Sequence, residues 1–222
     1  MARKLLSALS ALGREHPVLF GCSISALKTS SSDLATQCWL EGKDLQSIDR
    51  RRNLVFFLWG AFYLGGVQYW IYVKLFAQRL FPSAASFAAK PLREKLADRP
   101  GQITVLKQIF LDQAIHHPFV LFPAFYQVKE FVEGGTPYSA FLKCKKNWYE
   151  DCVTCWSIWV PAFAVNFSFC PMWMRVPFVA GVSFFFTCLL SSMRGAPESA
   201  DAVTSAQDPE ALDSEPEGNA AM

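Results

Sequence analysis

Between Cys152 and Met193 the chain carries one charged side chain, Arg175, with Pro171 and Pro177 on either side of it. A soluble core helix rarely needs so long an apolar stretch. Two consecutive crossings of a hydrocarbon layer do, because a layer about 30 Å thick takes roughly 20 residues of helix. The stretch therefore divides into two spans, about 152–170 and 172–193. Pro161 lies inside the first and predicts a kink or a late helix start, which neighbouring helices tolerate in a membrane. A third run, 54–73, has Gln68 as its one strongly polar side chain. Arg50, Arg51 and Arg52 precede it and Lys74 and Arg79 follow it, the placement of basic anchors at both membrane surfaces.

Composition agrees with this reading and excludes others. The 222 residues are 52% hydrophobic and 15% aromatic but only 18% charged, so the chain is greasier than an ordinary soluble domain. Its 20 Phe and 7 Trp suit lipid-facing and interfacial surface. The net charge of +2 hides a basic body and an acidic tail that holds Glu198, Asp201, Asp208, Glu210, Asp213, Glu215 and Glu217 without a Lys or Arg. The basic residues flank apolar runs and form no stripe among exposed aromatics, which argues against nucleic acid. Seven Cys at irregular spacings read as reduced thiols packed like small hydrophobes. Cys152 and Cys155 match C-x-x-C, but at an apolar helix start with no βαβ context they read as packed thiols too.

Two segments are less apolar. Residues 17–40 contain Lys28, Asp33 and a Thr29 to Ser32 run; residues 103–128 contain Lys107, Asp112, His116 and His117 and are broken by Pro118 and Pro123. Either could cross within a bundle with its polar face toward its neighbours, or lie in the interface as an amphipathic helix. Residues 81–101 read as an exposed loop with a short basic helix near 92–98, and Gly134, Gly135 and Pro137 end the segment that starts at 103. Residues 138–151 place Phe141, Cys144 and Trp148 among Lys143, Lys145 and Lys146, the mix of a helix on the headgroups. The division is thus an N-terminal lead, 1–15, a helical membrane domain, 16–195, and a disordered acidic tail, 196–222. The lead has Arg3, Lys4 and Arg14 and no acid among its first 14 residues, and reads as a weak mitochondrial presequence or an amphipathic lead-in.

The sequence holds no Gly-rich phosphate loop, nucleophile elbow or paired-carboxylate constellation, so neither an enzyme nor a cofactor is expected. Asp112 and His116, at i and i+4, could share a metal or a proton. Three His in the whole chain, with no matching Cys or carboxylate spacing, argue against a metal centre. Arg175 either snorkels between helices or pairs across the bundle with Asp112 or Asp33. Asn166 reads as interhelical glue before it reads as a solute ligand. Gly21 with Ser25, and Gly60, Gly65 and Gly66, permit close helix approach. If solutes cross, the polar side chains available at depth are Asp33, Gln37, Gln68, Asp112, Gln113, Asn166 and Arg175.

These residues also carry a resemblance. His16-Pro17, Asp33-Leu34 with Gln37, the acidic-basic run 49–52, Gly60, Gly65 and Tyr72, Asp112-Gln113 followed by Pro118, and Glu133-Gly134 stand in family order. Most specific is Trp159, Asn166, Phe167, Pro171 and Arg175, in register with Trp-Pro-x-x-Gln-x-x-Asn-Phe-x-x-x-Pro-x-x-x-Arg. On these motifs the chain resembles, over about residues 16–194, the Mpv-seventeen family of small integral membrane proteins, which includes peroxisomal and mitochondrial inner-membrane members. It departs at Val160, Phe163, Gly66 and Tyr69, where the family has Pro, Gln, Pro and His. The resemblance implies a bundle of four spans and channel or pore activity for small solutes.

The expectation is an all-α multi-span transmembrane bundle, about four spans plus an interfacial amphipathic helix, that forms or regulates a pore in an organelle membrane. The mitochondrial inner membrane comes first and the peroxisomal membrane second. A non-conducting scaffold with a partner-binding acidic tail is the rival. The lipid bilayer, small solutes and a second copy of the chain are the expected partners.

Overall fold

The computed structural model describes residues 15–168, 170 and 172–196, with the side chains of 167, 168 and 172–177 excepted. Most of the N-terminal lead, the acidic tail beyond residue 196, Pro171 and the Phe167 and Arg175 side chains therefore lie outside the described residues. Those described are all-helical. Helix α1 covers 17–40, as Pro17–Ala35 and a wider π-helical end, Thr36–Leu40. Helix α2 is Arg50–Leu80. Two short helices follow, α3 (Pro82–Ala89) and α4 (Leu92–Ala97). Helix α5 covers 99–133, α6 is Pro137–Ser168 and α7 is Met172–Arg194.

Local chemistry sets the ends. Asp49 caps α2, its carboxylate accepting the Arg52 N–H at 3.0 Å. Gly134 ends α5 at φ 80°, a left-handed turn that glycine adopts without Cβ strain. Pro137 opens α6, with Thr136 and Ser139 exchanging side-chain-to-backbone hydrogen bonds of 3.1 and 3.0 Å across its first turn. Helix α1 packs along α2 and against α7, while the second half of α5 packs on α6 and α2. The apolar core runs through Val55, Phe56 and Trp59 of α2, Phe122, Phe125 and Tyr126 of α5, Cys152 and Cys155 of α6, and Phe186 and Leu190 of α7.

Three expectations need correction. No break separates a headgroup helix at 138–151 from a span: α6 runs unbroken through Asp151 and Pro161, so the late start is overturned. Its Ala140, Cys144 and Cys152 form one apolar face buried in the core, which holds the two segments together. The connector 81–101 is not an exposed loop either, because Ala84 and Phe87 of α3 are buried on Val105 of α5. Helices α1 and α5 turn polar faces inward, burying Thr29, Ser32 and Asp33 of the one and Asp112, Gln113 and His116 of the other. Helix α2 is long and apolar enough to cross a membrane by itself.

The connector is locked to α5 by Asp98, whose carboxylate accepts the Lys90 ammonium at 2.6 Å and the Gly101 N–H at 3.0 Å. The ammonium first, and then the N–H, hold the Asp98 carboxyl below the usual carboxylate range. A folded-state value below the unfolded one stabilises above the unfolded value and is lost as pH falls through the folded one. Thermal unfolding of wild type and Asp98→Asn in detergent should differ most at neutral pH. The difference should shrink as pH drops through the carboxylate range; a pH-independent difference would contradict the ion pair.

Candidate polar core of the bundle

Beside its apolar core the bundle exposes many large apolar side chains and buries many polar ones. Phe131, Phe185, Phe62 and Phe110 are 81%, 72%, 68% and 67% exposed, whereas Asp33, Gln37, Arg52, Asp112, Lys143 and Asp151 are buried. Apolar side chains can face outward in such number where the surroundings are apolar, and buried polar ones then have to find one another.

At the end of the bundle that carries connectors 41–49 and 134–136, Asp33 is fully buried and accepts four hydrogen bonds. Arg52 Nε and Ser191 Oγ donate to its Oδ1 at 2.8 and 2.6 Å, and Gln37 and Asn53 donate to its Oδ2 at 2.9 Å each. Arg52 also donates to the Ser191 carbonyl at 2.9 Å and pairs with Glu41 at 2.7 Å, so one guanidinium ties α1, α2 and α7. Two further pairs stand nearby. Lys143 of α6 meets Glu130 of α5 at 2.5 Å; Arg194 of α7 meets Asp151 of α6 at 2.8 Å, with the Tyr126 hydroxyl of α5 donating to the same carboxylate at 2.7 Å.

A separate cluster surrounds Asp112, opposite the middle of α2. Tyr72 donates to Asp112 Oδ1 at 2.6 Å, His116 Nδ1 lies 2.9 Å from the same oxygen, and Gln113 donates to Oδ2 at 2.9 Å. The Tyr63 hydroxyl is 3.0 Å from His116 Nε2, and Gln68 reaches Tyr72. The local backbone explains the gathering. Pro118 has no N–H to donate and its ring cannot sit in a regular α-helical turn, and Asp112–Leu121 is wound as a π-helix. The i→i+5 bond that Pro118 cannot make leaves the Gln113 carbonyl free, and the Trp156 indole of α6 donates to it at 2.8 Å.

The sequence-derived residues thus fall into two groups. Asp33 and Gln37 share the Arg52 network; Gln68, Asp112 and Gln113 share the histidine cluster. Asp33 finds its cation in Arg52, and Asp112 bonds to groups on α2 and α5; the expected pairing with Arg175 lies outside the described residues. Asn166 is buried near the end of α6 and Trp159 lies two turns before it; Asn166 Oδ1 and Trp159 Nε1 have no hydrogen-bond partner among the described residues. Arg52 and Lys143, read in the sequence as membrane-flank residues, are buried ion-pair partners, because each meets an acid supplied by another helix. His117, a polar residue of the same segment, is not paired with Asp112 by the sequence, because i+5 leaves the face of an ordinary α-helix.

Comparison with known proteins bears on this core directly. The Mpv17 / PMP22 family model matches residues 130–191, from the end of α5 through α6 into α7. Protein SYM1 of Mycosarcoma maydis is 29% identical over 119 residues, 54% of this chain and 59% of that protein. Protein SYM1 of Kluyveromyces lactis is 33% identical over 105 residues, 46% of this chain and 53% of that one. The chain thus spans somewhat more than half the length of each of these relatives. No solved structure matches. The matched segment contains Trp159, Asn166 and the Lys143 and Asp151 ion-pair positions, and through it the chain is similar to the Mpv17 / PMP22 family.

Proposed function

We propose that the protein is an integral organelle-membrane protein, crossing the bilayer about four times, that forms or regulates a path for small solutes and has no enzymatic role. The mitochondrial inner membrane is the first candidate compartment and the peroxisomal membrane the second. One observation carries the reading: a bundle with an apolar exterior buries Asp112, Gln113, His116 and His117 against Tyr63 and Tyr72 at mid-length. Ionisable groups are costly in hydrocarbon, and where they are kept inside a bundle they mark ion or solute routes more often than packing. In this arrangement the polar groups bond to one another, so conduction requires that these bonds open.

The test is reconstitution of purified protein into planar bilayers. Wild type should conduct, and Asp112→Asn, which keeps the size and most hydrogen bonds of the side chain, should fold normally and alter ion selectivity. A silent wild type, or a folded Asp112→Asn variant with unchanged selectivity and conductance, would remove Asp112 from any path. That outcome would favour the scaffold reading, in which the Arg52, Lys143 and Arg194 pairs fix helix positions and the bundle conducts nothing.

A further inference from the structure

We propose that Asp112, His116 and His117 form a binding site for one divalent transition-metal cation of the zinc class inside the bundle. The three side chains are 2%, 5% and 4% exposed, and one ligand atom from each lies within 4.8 Å of the others. The π-helical winding of Asp112–Leu121 makes this geometry. Its wider turn sets residues i+4 and i+5 on either side of residue i, so both imidazoles lean over one carboxylate. His116 Nδ1 is 2.9 Å from Asp112 Oδ1 and His117 Nδ1 is 3.5 Å from Oδ2. Ligand atoms about 2.1 Å from a tetrahedral zinc ion are roughly 3.4 Å apart, so a cation fits once the His117 ring gives up its Nδ1–H bond to the Asp112 carbonyl and turns a free ring nitrogen inward.

Charge is the second argument. The buried carboxylates Asp33, Glu130 and Asp151 are each matched by an arginine or lysine, namely Arg52, Lys143 and Arg194. Asp112 is buried as deeply, and among the described residues it bonds to Tyr72, Gln113 and the two imidazoles. A carboxylate in such a place needs a cation, and a divalent ion held by one carboxylate and two imidazoles supplies it.

The surroundings are those of a metal site. Metal-bound histidines characteristically donate their second ring N–H to a fixed acceptor, and ligating carboxylates are themselves hydrogen-bonded. His116 Nε2 faces the Tyr63 hydroxyl at 3.0 Å, and Asp112 is held by Tyr72 and Gln113. When the cation enters, it replaces the proton between His116 Nδ1 and Asp112 Oδ1, and His116 Nε2–H donates to Tyr63. Imidazole and carboxylate donors select zinc, cobalt or a similar ion over magnesium or calcium, which prefer all-oxygen shells. A fourth position remains for water.

The experiment uses the full-length, tag-free chain in detergent, incubated with Zn2+ or Co2+, desalted and measured by mass spectrometry for metal. Wild type should keep close to one ion per chain, with a cobalt spectrum that lacks thiolate charge-transfer bands and a raised melting temperature. His117→Gln, whose ring is tied mainly to the Asp112 carbonyl at 2.9 Å, should keep the metal-free melting temperature. It should lose metal at least tenfold, as should the His116→Gln/His117→Gln double variant. His16→Gln, at an exposed position outside the cluster, and Cys152→Ser/Cys155→Ser should keep the ion. No retained metal in wild type, or equal retention in the double histidine variant, overturns the site. Metal retention is read without any conductance measurement, so it stands or falls separately from the pore.

Discussion

Arg52→Met is expected to cost about 3–5 kcal/mol of folding stability, the usual loss when one partner of a buried ion pair is removed. The size follows from what remains. Asp33 is fully buried, and without the guanidinium its four hydrogen bonds drop to three while its charge has no counter-ion in the interior. Ordinary polar contacts in membrane bundles average only about 0.6 kcal/mol, so a loss near that value would mean the pair is mere hydrogen bonding. The larger figure requires the unpaired charge. Asp33→Asn should therefore rescue: the Asp33→Asn/Arg52→Met double variant is neutral at the site, keeps acceptors for Gln37 and Asn53, and should recover more than half of the loss. Arg52→Lys should rescue poorly, since Arg52 bonds Asp33, Glu41 and Ser191 at once through a rigid fork that an ammonium cannot reproduce. Thermal unfolding in detergent measures all four proteins. A wild-type-like melting temperature for Arg52→Met would show that the network does not hold α1, α2 and α7 together.

Arg52 also shows where a linear reading stops. Its position just before an apolar run is what a membrane-surface anchor looks like, and Arg50, beside it, is exposed as such an anchor should be. Nothing in the spacing says that Asp33, on another helix, will face Arg52. Lys143 and Glu130 repeat the lesson: a lysine among lysines on an amphipathic helix turns inward because α5 brings a carboxylate to it. What the sequence does carry is the class of each segment. The lack of charge in 54–73, the glycines at 134 and 135 and the small residues at 60 and 65 are local features with local physical consequences. The histidine cluster lies between these cases. Asp112 and His116 are one helical turn apart and visible as a pair, but His117 joins them only because Pro118 favours a π-helical turn, and that turn is secured by Trp156 from α6.

Gly60→Ala and Gly65→Ala are expected to destabilise by about 1–3 kcal/mol each, the range for forcing extra carbon into a packed interface, although alanine is the better helix former. The conflict is resolved by what a Cβ would meet. At Gly60 it would meet Thr29 Oγ1 and also come within 2.5 Å of the Ser25 carbonyl oxygen and 2.8 Å of Ala26 Cα; at Gly65 it would strike Cys22 Cα and come within 2.6 Å of Cys22 N. Most of these are backbone atoms of α1, which cannot rotate out of the way, so α1 and α2 must separate. Separation also strains the Thr29 hydroxyl's 2.7 Å hydrogen bond to the Phe56 carbonyl across the same contact. Neighbouring positions supply the controls. A Cβ at Gly66 would have its nearest contacts at 3.8 and 3.9 Å, and one at Gly181 of α7 would meet nothing within 4 Å among the described residues. Gly66→Ala and Gly181→Ala should be neutral or gain up to about 1 kcal/mol from helix propensity. Four melting curves in detergent therefore discriminate: losses at 60 and 65 with none at 66 and 181 establish backbone contact between α1 and α2. Equal effects at all four would mean that propensity alone governs, and that α1 does not lie against α2 as it does in this bundle.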